Sequence, residues 1–105
     1  AALGDIGQHF PSNDPRWKDQ PGSVFLTYTL DLLCQHSWRI SNIDATIIAE
    51  RPRMGPHVAA MRTHLAEHLR LEIEQVSVKA TTTDGLGFTG RREGIACQAV
   101  ALIER

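Results

Sequence analysis

Apolar positions recur at three- and four-residue spacing in two stretches of the chain and at two-residue spacing in three others, and this alone sets out helices and strands. Leu26, Leu30 and Leu33 share one face of a helix expected from Ser23, as its N-cap, to about Gln35. That face is expected to pack on a sheet. Val58, Met61, Leu65 and Leu69 form a second stripe, opened by Pro56 in the first helical turn and running to about Arg70. Between the helices, the β-branched run from about Asn42 to Ala49 predicts a strand that ends before Arg51-Pro52. Gln75 to Thr83 alternates and then becomes a threonine run, which suits a strand leading to an edge or loop. In a last strand, Ile95, Cys97, Ala99, Ala101 and Ile103 fall on one face and Ala96, Val100 and Leu102 on the other; a helix is the rival there, since alanine tolerates either state. The fold class expected is α+β, a mixed β-sheet with helices packed on one face.

The remaining segments are irregular. Asp5 to Gly22 holds Pro11, Pro15, Pro21, Gly7 and Gly22 and must be mostly loop, with apolar Ile6, Phe10 and Trp17 ordering it. Loops of this length tend to bind something. Asp84 to Gly90 reads as a glycine-punctuated turn. The opening Ala1-Ala2-Leu3-Gly4 reads as the last turn of a helix ended by a glycine, so the body of that helix is expected upstream.

The 105 residues suit a single domain, and 42% hydrophobic with 22% charged residues is ordinary globular composition. A formal net charge of −1 recommends neither nucleic acid nor an anionic membrane as a partner, so any anion must be caught locally. Apolar runs fall far short of the roughly 20 residues that span a bilayer. Cys34 and Cys97 belong to no C-x-x-C pair, which signals neither a disulfide framework nor a thiolate zinc site. They are expected as small buried hydrophobes in a reducing compartment.

Four constellations carry candidate chemistry. In Gly4 to Pro15, glycines flank Asp5, whose carboxylate suits a polyol or a metal ion; a structural Asx-turn is the stronger reading of the residues alone. In Ala49 to His57, a strand ends, Arg51 and Arg53 flank Pro52, and Gly55 opens a helix whose amides would suit a phosphate, a reading balanced against a plain connection with solvated arginines. Lys79 to Arg91 gathers Thr81, Thr82, Thr83, Asp84, three glycines and cations, more than a turn requires, and points to phosphate oxygens bridged by a hard divalent ion. His64-Leu65-Ala66-Glu67-His68 fits H-x-x-E-H, but such a zinc site needs a third ligand, and the stretch reads better as a solvated helix flank.

Leu3-Gly4-Asp5-Ile6-Gly7, Phe10-Pro11 through Asp14-Pro15, Asp44 to Ala49, Pro52-Arg53-Met54, Val78 to Thr83 and Leu86 to Arg91 stand in the order found in one family. The chain resembles the 2-C-methyl-D-erythritol 2,4-cyclodiphosphate synthases of non-mevalonate isoprenoid biosynthesis along its whole length. The resemblance implies a metal-dependent phosphorus–oxygen lyase. In that reaction the 2-phosphate of 4-diphosphocytidyl-2-C-methyl-D-erythritol 2-phosphate attacks the β-phosphorus and CMP leaves. It further implies a zinc ion, a second divalent ion (Mg²⁺ or Mn²⁺), and a homotrimer with sites between subunits. Carried residue by residue, Asp5, Ile6 and Gly7, with Phe10, Pro11, Ser12, Asn13 and Asp14, match segments that hold the methylerythritol part. Ala49, Glu50, Arg51, Pro52, Arg53, Met54 and Gly55 match the loop that encloses cytidine. Thr81, Thr82 and Thr83 match threonines at the phosphates, Thr82 being the catalytic one, and Asp84 falls where a Glu meets the second metal. Phe88 and Arg91 match ligand-lining positions, and Arg91 and Glu93 match residues near a central channel.

The departures are specific. Asp84 is one methylene shorter than the usual Glu, Gly85 replaces a common Lys, Ser12-Asn13 replaces Asp-Thr, and Arg51 stands where a small residue is frequent. The family's zinc ligands, an Asp-x-His strand motif and a His on the next helix, match nothing in this chain, so they are expected upstream together with the first strands and most of the first helix. The alternative function is a non-catalytic trimeric scaffold that binds cytidine nucleotide. A bacterial cytoplasm is the expected setting, a plastid the alternative.

Overall fold

The computed structural model describes all 105 residues, and the chain divides into two compact units, residues 1–39 with Arg105, and residues 40–104.

In the first unit, the expected loop contains two helical turns, each with its own cap. Helix α1, Ile6–His9, is opened by a reciprocal box in which the Gln8 amide donates to Asp5 Oδ1 at 3.0 Å and the Asp5 amide donates to Gln8 Oε1 at 3.2 Å. A 3₁₀ turn over Pro15–Trp17 follows Asp14, whose Oδ1 accepts the Arg16 amide at 3.0 Å. Order in this segment comes from aromatic packing. The Phe10 ring meets Trp17 at 4.9 Å and Phe25 and Tyr28 at 4.8 Å, all edge-on, the arrangement that the ring quadrupoles favour. Ile6, expected to join that packing, is instead 72% exposed, because the α1 turn points it outward.

Helix α2, Gly22–Gln35, starts two residues earlier than the periodicity predicts, with Pro21 rather than Ser23 as its N-cap. Proline's fixed φ leads into the helix and its carbonyl accepts the Val24 amide at 3.0 Å, so no capping side chain is used. Leu30 and Leu33 are buried and Leu26 is half-buried, as the stripe predicts. The helix stops without glycine. Ser37 takes φ +63°, the Trp38 amide donates to the Leu33 carbonyl at 2.9 Å and the Ser37 amide to Cys34 at 3.0 Å, which closes the end in a Schellman motif.

The second unit is built on a three-stranded mixed sheet in the order β2-β1-β3, with β1 at Arg39–Ile48, β2 at Val76–Thr81 and β3 at Ala96–Glu104. β1 and β2 are parallel, from Ile43 opposite Val76 to Ile48 opposite Thr81. Such a pair needs a crossover, supplied by a 3₁₀ turn at Gly55–His57 and helix α3, Val58–Leu69. Pro56 sits in that turn, as expected. α3 packs on β2 through Ala66, Val76 and Val78, with Ile47, Val58, Met61, Leu65 and Leu71 around them. Val76 is only 1% exposed. α3 ends at Arg70, φ +57°, in a second glycine-free Schellman closure, the Leu71 amide donating to Ala66 at 2.9 Å.

Differences from the sequence expectation have local causes. β1 begins at Arg39 rather than Asn42, since Gln75 Nε2 donates to the Ser41 carbonyl at 2.8 Å and satisfies the polar start of the strand. A helical turn, α4 over Gly87–Gly90, occupies part of the glycine-rich segment expected only as a turn. The last segment is a strand, not the rival helix. Both cysteines are exposed rather than buried: Cys34 follows Leu33 round to the outer side of α2, and Cys97 lies on the open strand β3.

Candidate functional site

Parallel strands put their carboxyl ends side by side, the usual position for ligand crevices in such sheets. Here the pairing continues past the strands, for the Ala49 amide donates to the Thr81 carbonyl at 3.0 Å. Two segments about thirty residues apart, read from the sequence as separate constellations, therefore form one cleft of about 410 Å³. Ala49, Glu50, Arg51, Arg53, Met54 and Gly55 line one side and Thr81 and Thr82 the other. Arg51 and Arg53 are both exposed and both line the cleft, so two guanidinium groups stand there for an anion. Glu50 is half-buried, its Oε2 shielded and without a hydrogen-bond partner. The loop enters α3 through the 3₁₀ turn without a capping side chain; the His57 amide donates to the Met54 carbonyl at 2.9 Å and the Val58 amide to the Gly55 carbonyl, so the amides expected to suit a phosphate are already paired.

The turn after β2 arranges its hydroxyls unequally. Asp84 and Gly85 take φ +52° and +81°, a reversal that suits Asp and Gly. Thr82 Oγ1 donates to Asp84 Oδ1 at 3.1 Å and accepts the Asp84 amide at 3.2 Å, and both side chains are exposed. Thr81 is exposed as well. Thr83 is half-buried and turned inward: its Oγ1 donates to the Leu86 carbonyl at 2.5 Å and lies 2.9 Å from the hydroxyl of Thr89. Phe88 is exposed, and Arg91 is held in a two-pronged pair by Glu93, with Nε to Oε1 at 2.8 Å and Nη2 to Oε2 at 3.3 Å.

In the first unit, Oδ1 of the exposed Asp5 serves the α1 cap, the structural reading of that residue. Phe10, Pro11, Ser12, Asn13 and Asp14 line a cavity of about 710 Å³, which Ile6 and Gly7 also border. Asp14 is gripped by Arg16, with Nη2 2.7 Å and Nε 3.0 Å from Oδ2; those hydrogen bonds, then the Arg16 amide, hold its carboxyl below the usual carboxylate range. His64 and His68 lie with ring centroids 5.8 Å apart on α3, but no group of three or more His, Cys, Asp or Glu side chains gathers anywhere in the chain, so H-x-x-E-H finds no third ligand.

Two residues escaped the sequence reading. Thr89 is the buried polar residue of the chain, 4% exposed, and a Cβ on Gly90 would lie 2.3 Å from the Gly85 carbonyl carbon. Both lie inside the Leu86 to Arg91 motif, but nothing in the sequence alone marks them apart from their neighbours.

Known proteins match along nearly the whole chain. It is 55% identical over 103 residues to the 2-C-methyl-D-erythritol 2,4-cyclodiphosphate synthase of Azotobacter vinelandii, covering 98% of this chain and 66% of that protein. The protein of that name from Pseudomonas syringae is 55% identical over 105 residues, 100% of this chain and 67% of the relative. The chain thus spans about two thirds of the length of these relatives. Among solved structures, the bifunctional IspDF from Campylobacter jejuni superposes with TM-score 0.89 at 34% identity, over 96% of this chain and 27% of that one. A CDP-bound form of a 2C-methyl-D-erythritol-2,4-cyclodiphosphate synthase gives TM-score 0.86 at 29% identity, over 97% and 65%. With the family model described as YgbB matching residues 1–104, up to the end of β3, the chain belongs to the YgbB family.

Proposed function

We propose that the protein containing this chain is a 2-C-methyl-D-erythritol 2,4-cyclodiphosphate synthase. The observation that carries the reading is the cleft between the Ala49–Gly55 loop and Thr81–Thr82, which sets arginines and hydroxyls around one space. Relatives of that name, and a structural neighbour solved with CDP, support it.

In the proposed reaction an oxygen of the substrate's own 2-phosphate attacks the β-phosphorus of the cytidine diphosphate ester. The bond from that phosphorus to the CMP oxygen breaks, CMP leaves with the electron pair, and a cyclic diphosphate remains. The enzyme needs no nucleophile of its own, so its work is positioning and charge stabilisation. The loop from Ala49 to Gly55 encloses the nucleoside, with Arg51 and Arg53 facing anionic oxygens. Thr81 and Thr82 offer hydroxyls to the phosphates. The Thr82 hydrogen, which lies on Asp84 in the free turn, rotates onto a phosphate oxygen as charge builds there.

For Mg²⁺ or Mn²⁺ the donor chemistry fits: an exposed carboxylate, Asp84, would complete its shell with substrate phosphate oxygens and water, and the ion would lower repulsion between the reacting anions. Zinc does not fit this chain's own residues, which offer no group of three suitable side chains, and no step here depends on it. The methylerythritol part is assigned to Asp5–Gly7 and Phe10–Asp14, with Phe88 and Arg91 as further ligand-lining residues. A homotrimer is part of the proposal, supported by the exposed apolar side chains of β3, where Val100 is 72% and Leu102 57% exposed. A bacterial cytoplasmic setting is included on the bacterial sources of the relatives. No helix is long and apolar enough to cross a membrane.

The test is release of CMP from the cytidine diphosphate ester by the full-length protein supplied with Zn²⁺ and Mg²⁺ or Mn²⁺. No CMP overturns the reading. CDP binding by calorimetry without turnover would leave the nucleotide-binding scaffold in its place.

A further inference from the structure

We propose that Thr89, a residue with no assigned role, is a positioning residue for the turn that carries Thr82 and Asp84, acting through Thr83. The inference rests on reading that turn as the phosphate site. A hydroxyl owns one hydrogen, and Thr83 gives its hydrogen to the Leu86 carbonyl at 2.5 Å. The 2.9 Å contact between Thr83 and Thr89 therefore has Thr89 as donor, and a directed chain runs from Thr89 through Thr83 to Leu86. Thr89 is 4% exposed, so no water competes for its hydrogen. The Leu86 amide closes the same loop onto the Thr83 carbonyl at 3.0 Å. Behind this chain the backbone of Gly85 lies against Gly90, with Thr83 Oγ1 only 2.9 Å from where a Cβ of Gly90 would be.

The consequence is a division of labour among adjacent threonines. Thr83 faces inward and is used up in holding the turn, while Thr82, one residue earlier, is left outward with Asp84. Without the Thr89 hydroxyl, Thr83 loses its donor and the 83–86 turn is free to shift. A displacement of about 1 Å at a reacting group costs as much as 100-fold in rate.

The experiment uses the full-length protein and compares Thr89→Val, which keeps shape and loses the hydroxyl, with Thr89→Ser, which keeps the hydroxyl. Expected is a kcat about 10- to 100-fold lower in T89V with KM within about threefold of wild type, and kcat within about threefold of wild type in T89S. The double variant T83V/T89V should be no slower than the slower single variant, because both break one chain. Wild-type kcat in T89V, equal losses in T89V and T89S, or losses that multiply would each overturn the proposal. Should T89V fail to fold, Thr83→Val carries the same comparison. Should the wild type release no CMP, the proposed reaction fails on its own account. The chain is then read from amide exchange at Leu86: faster by about tenfold or more in T89V but not in T89S supports it, and equal exchange overturns it.

Discussion

Thr82 and Asp84 bond to each other twice, hydroxyl to carboxylate at 3.1 Å and amide to hydroxyl at 3.2 Å, while both side chains stay open to solvent. The pair is thus preset in geometry and free to change partners. Thr82→Val should lower kcat by about 100- to 1,000-fold, the cost of removing one donor aimed at developing charge, with CDP affinity changed by less than about threefold. Steady-state CMP release and calorimetry measure both. A fall in affinity that accounts for the whole loss would place Thr82 in binding instead.

Asp84→Asn keeps the turn-forming side chain and removes the charge. It should raise the Mg²⁺ concentration needed for half-maximal activity, whereas Asp84→Glu should retain activity at low Mg²⁺. A magnesium titration of the three proteins decides the matter, and an unchanged midpoint in Asp84→Asn excludes Asp84 as a ligand.

Gly90 and Gly87 are needed for different reasons. A Cβ on Gly90 would lie 2.3 Å from one backbone atom of Gly85 and 2.8 Å from another, so Gly90→Ala should cost at least about 1–3 kcal/mol, as overpacking does. Gly87 has open space around it but φ +70°, so Gly87→Ala should cost about 1–2 kcal/mol through backbone strain alone. Urea denaturation resolves the two, and a neutral Gly90→Ala would refute the close approach.

Arg62 ties α3 to the start of β2, its Nε donating to the Val76 carbonyl at 2.7 Å and Nη2 to the Ile73 carbonyl at 2.9 Å. Arg62→Met keeps the apolar stem and loses both bonds, and should destabilise the fold by about 1.5–3 kcal/mol. Arg62→Lys should recover only part of this, as one ammonium does not reproduce the fork.

Asp14 should titrate below the ordinary carboxylate range, and Arg16→Gln should move it upward, as seen by carboxyl chemical shifts against pH. A folded-state value lower than the unfolded one means that the pair's contribution to stability is full above the unfolded value and is lost as pH falls through the folded value. Acid sensitivity should therefore lessen in Arg16→Gln; identical titration in both proteins would refute the coupling.

Periodicity placed α2, α3, β1 and β2 because their apolar residues meet a core at regular spacing, and β3 by its alternation alone, since its side chains are mostly exposed. It missed what polar groups decide. The early start of β1 depends on Gln75 reaching Ser41, thirty-four residues away, and both long helices end on Ser37 and Arg70 in left-handed conformation, where a glycine would have been visible in the sequence. The site was legible as residue types and not as a unit, since only the Ile48–Thr81 register brings the arginine loop to the threonines. The inward turn of Thr83 left no mark at all, because three consecutive threonines look alike until their hydrogens are assigned.

The parallel pairing of β1 with β2 also governs when the cleft exists. Its two walls come from opposite ends of a crossover, so no local hairpin can preform it, and the cleft appears only once α3 has closed over Val76. The proposed nucleotide binding is then tied to the cooperative native state of this unit, and CDP should raise the unfolding midpoint in proportion to the logarithm of its concentration.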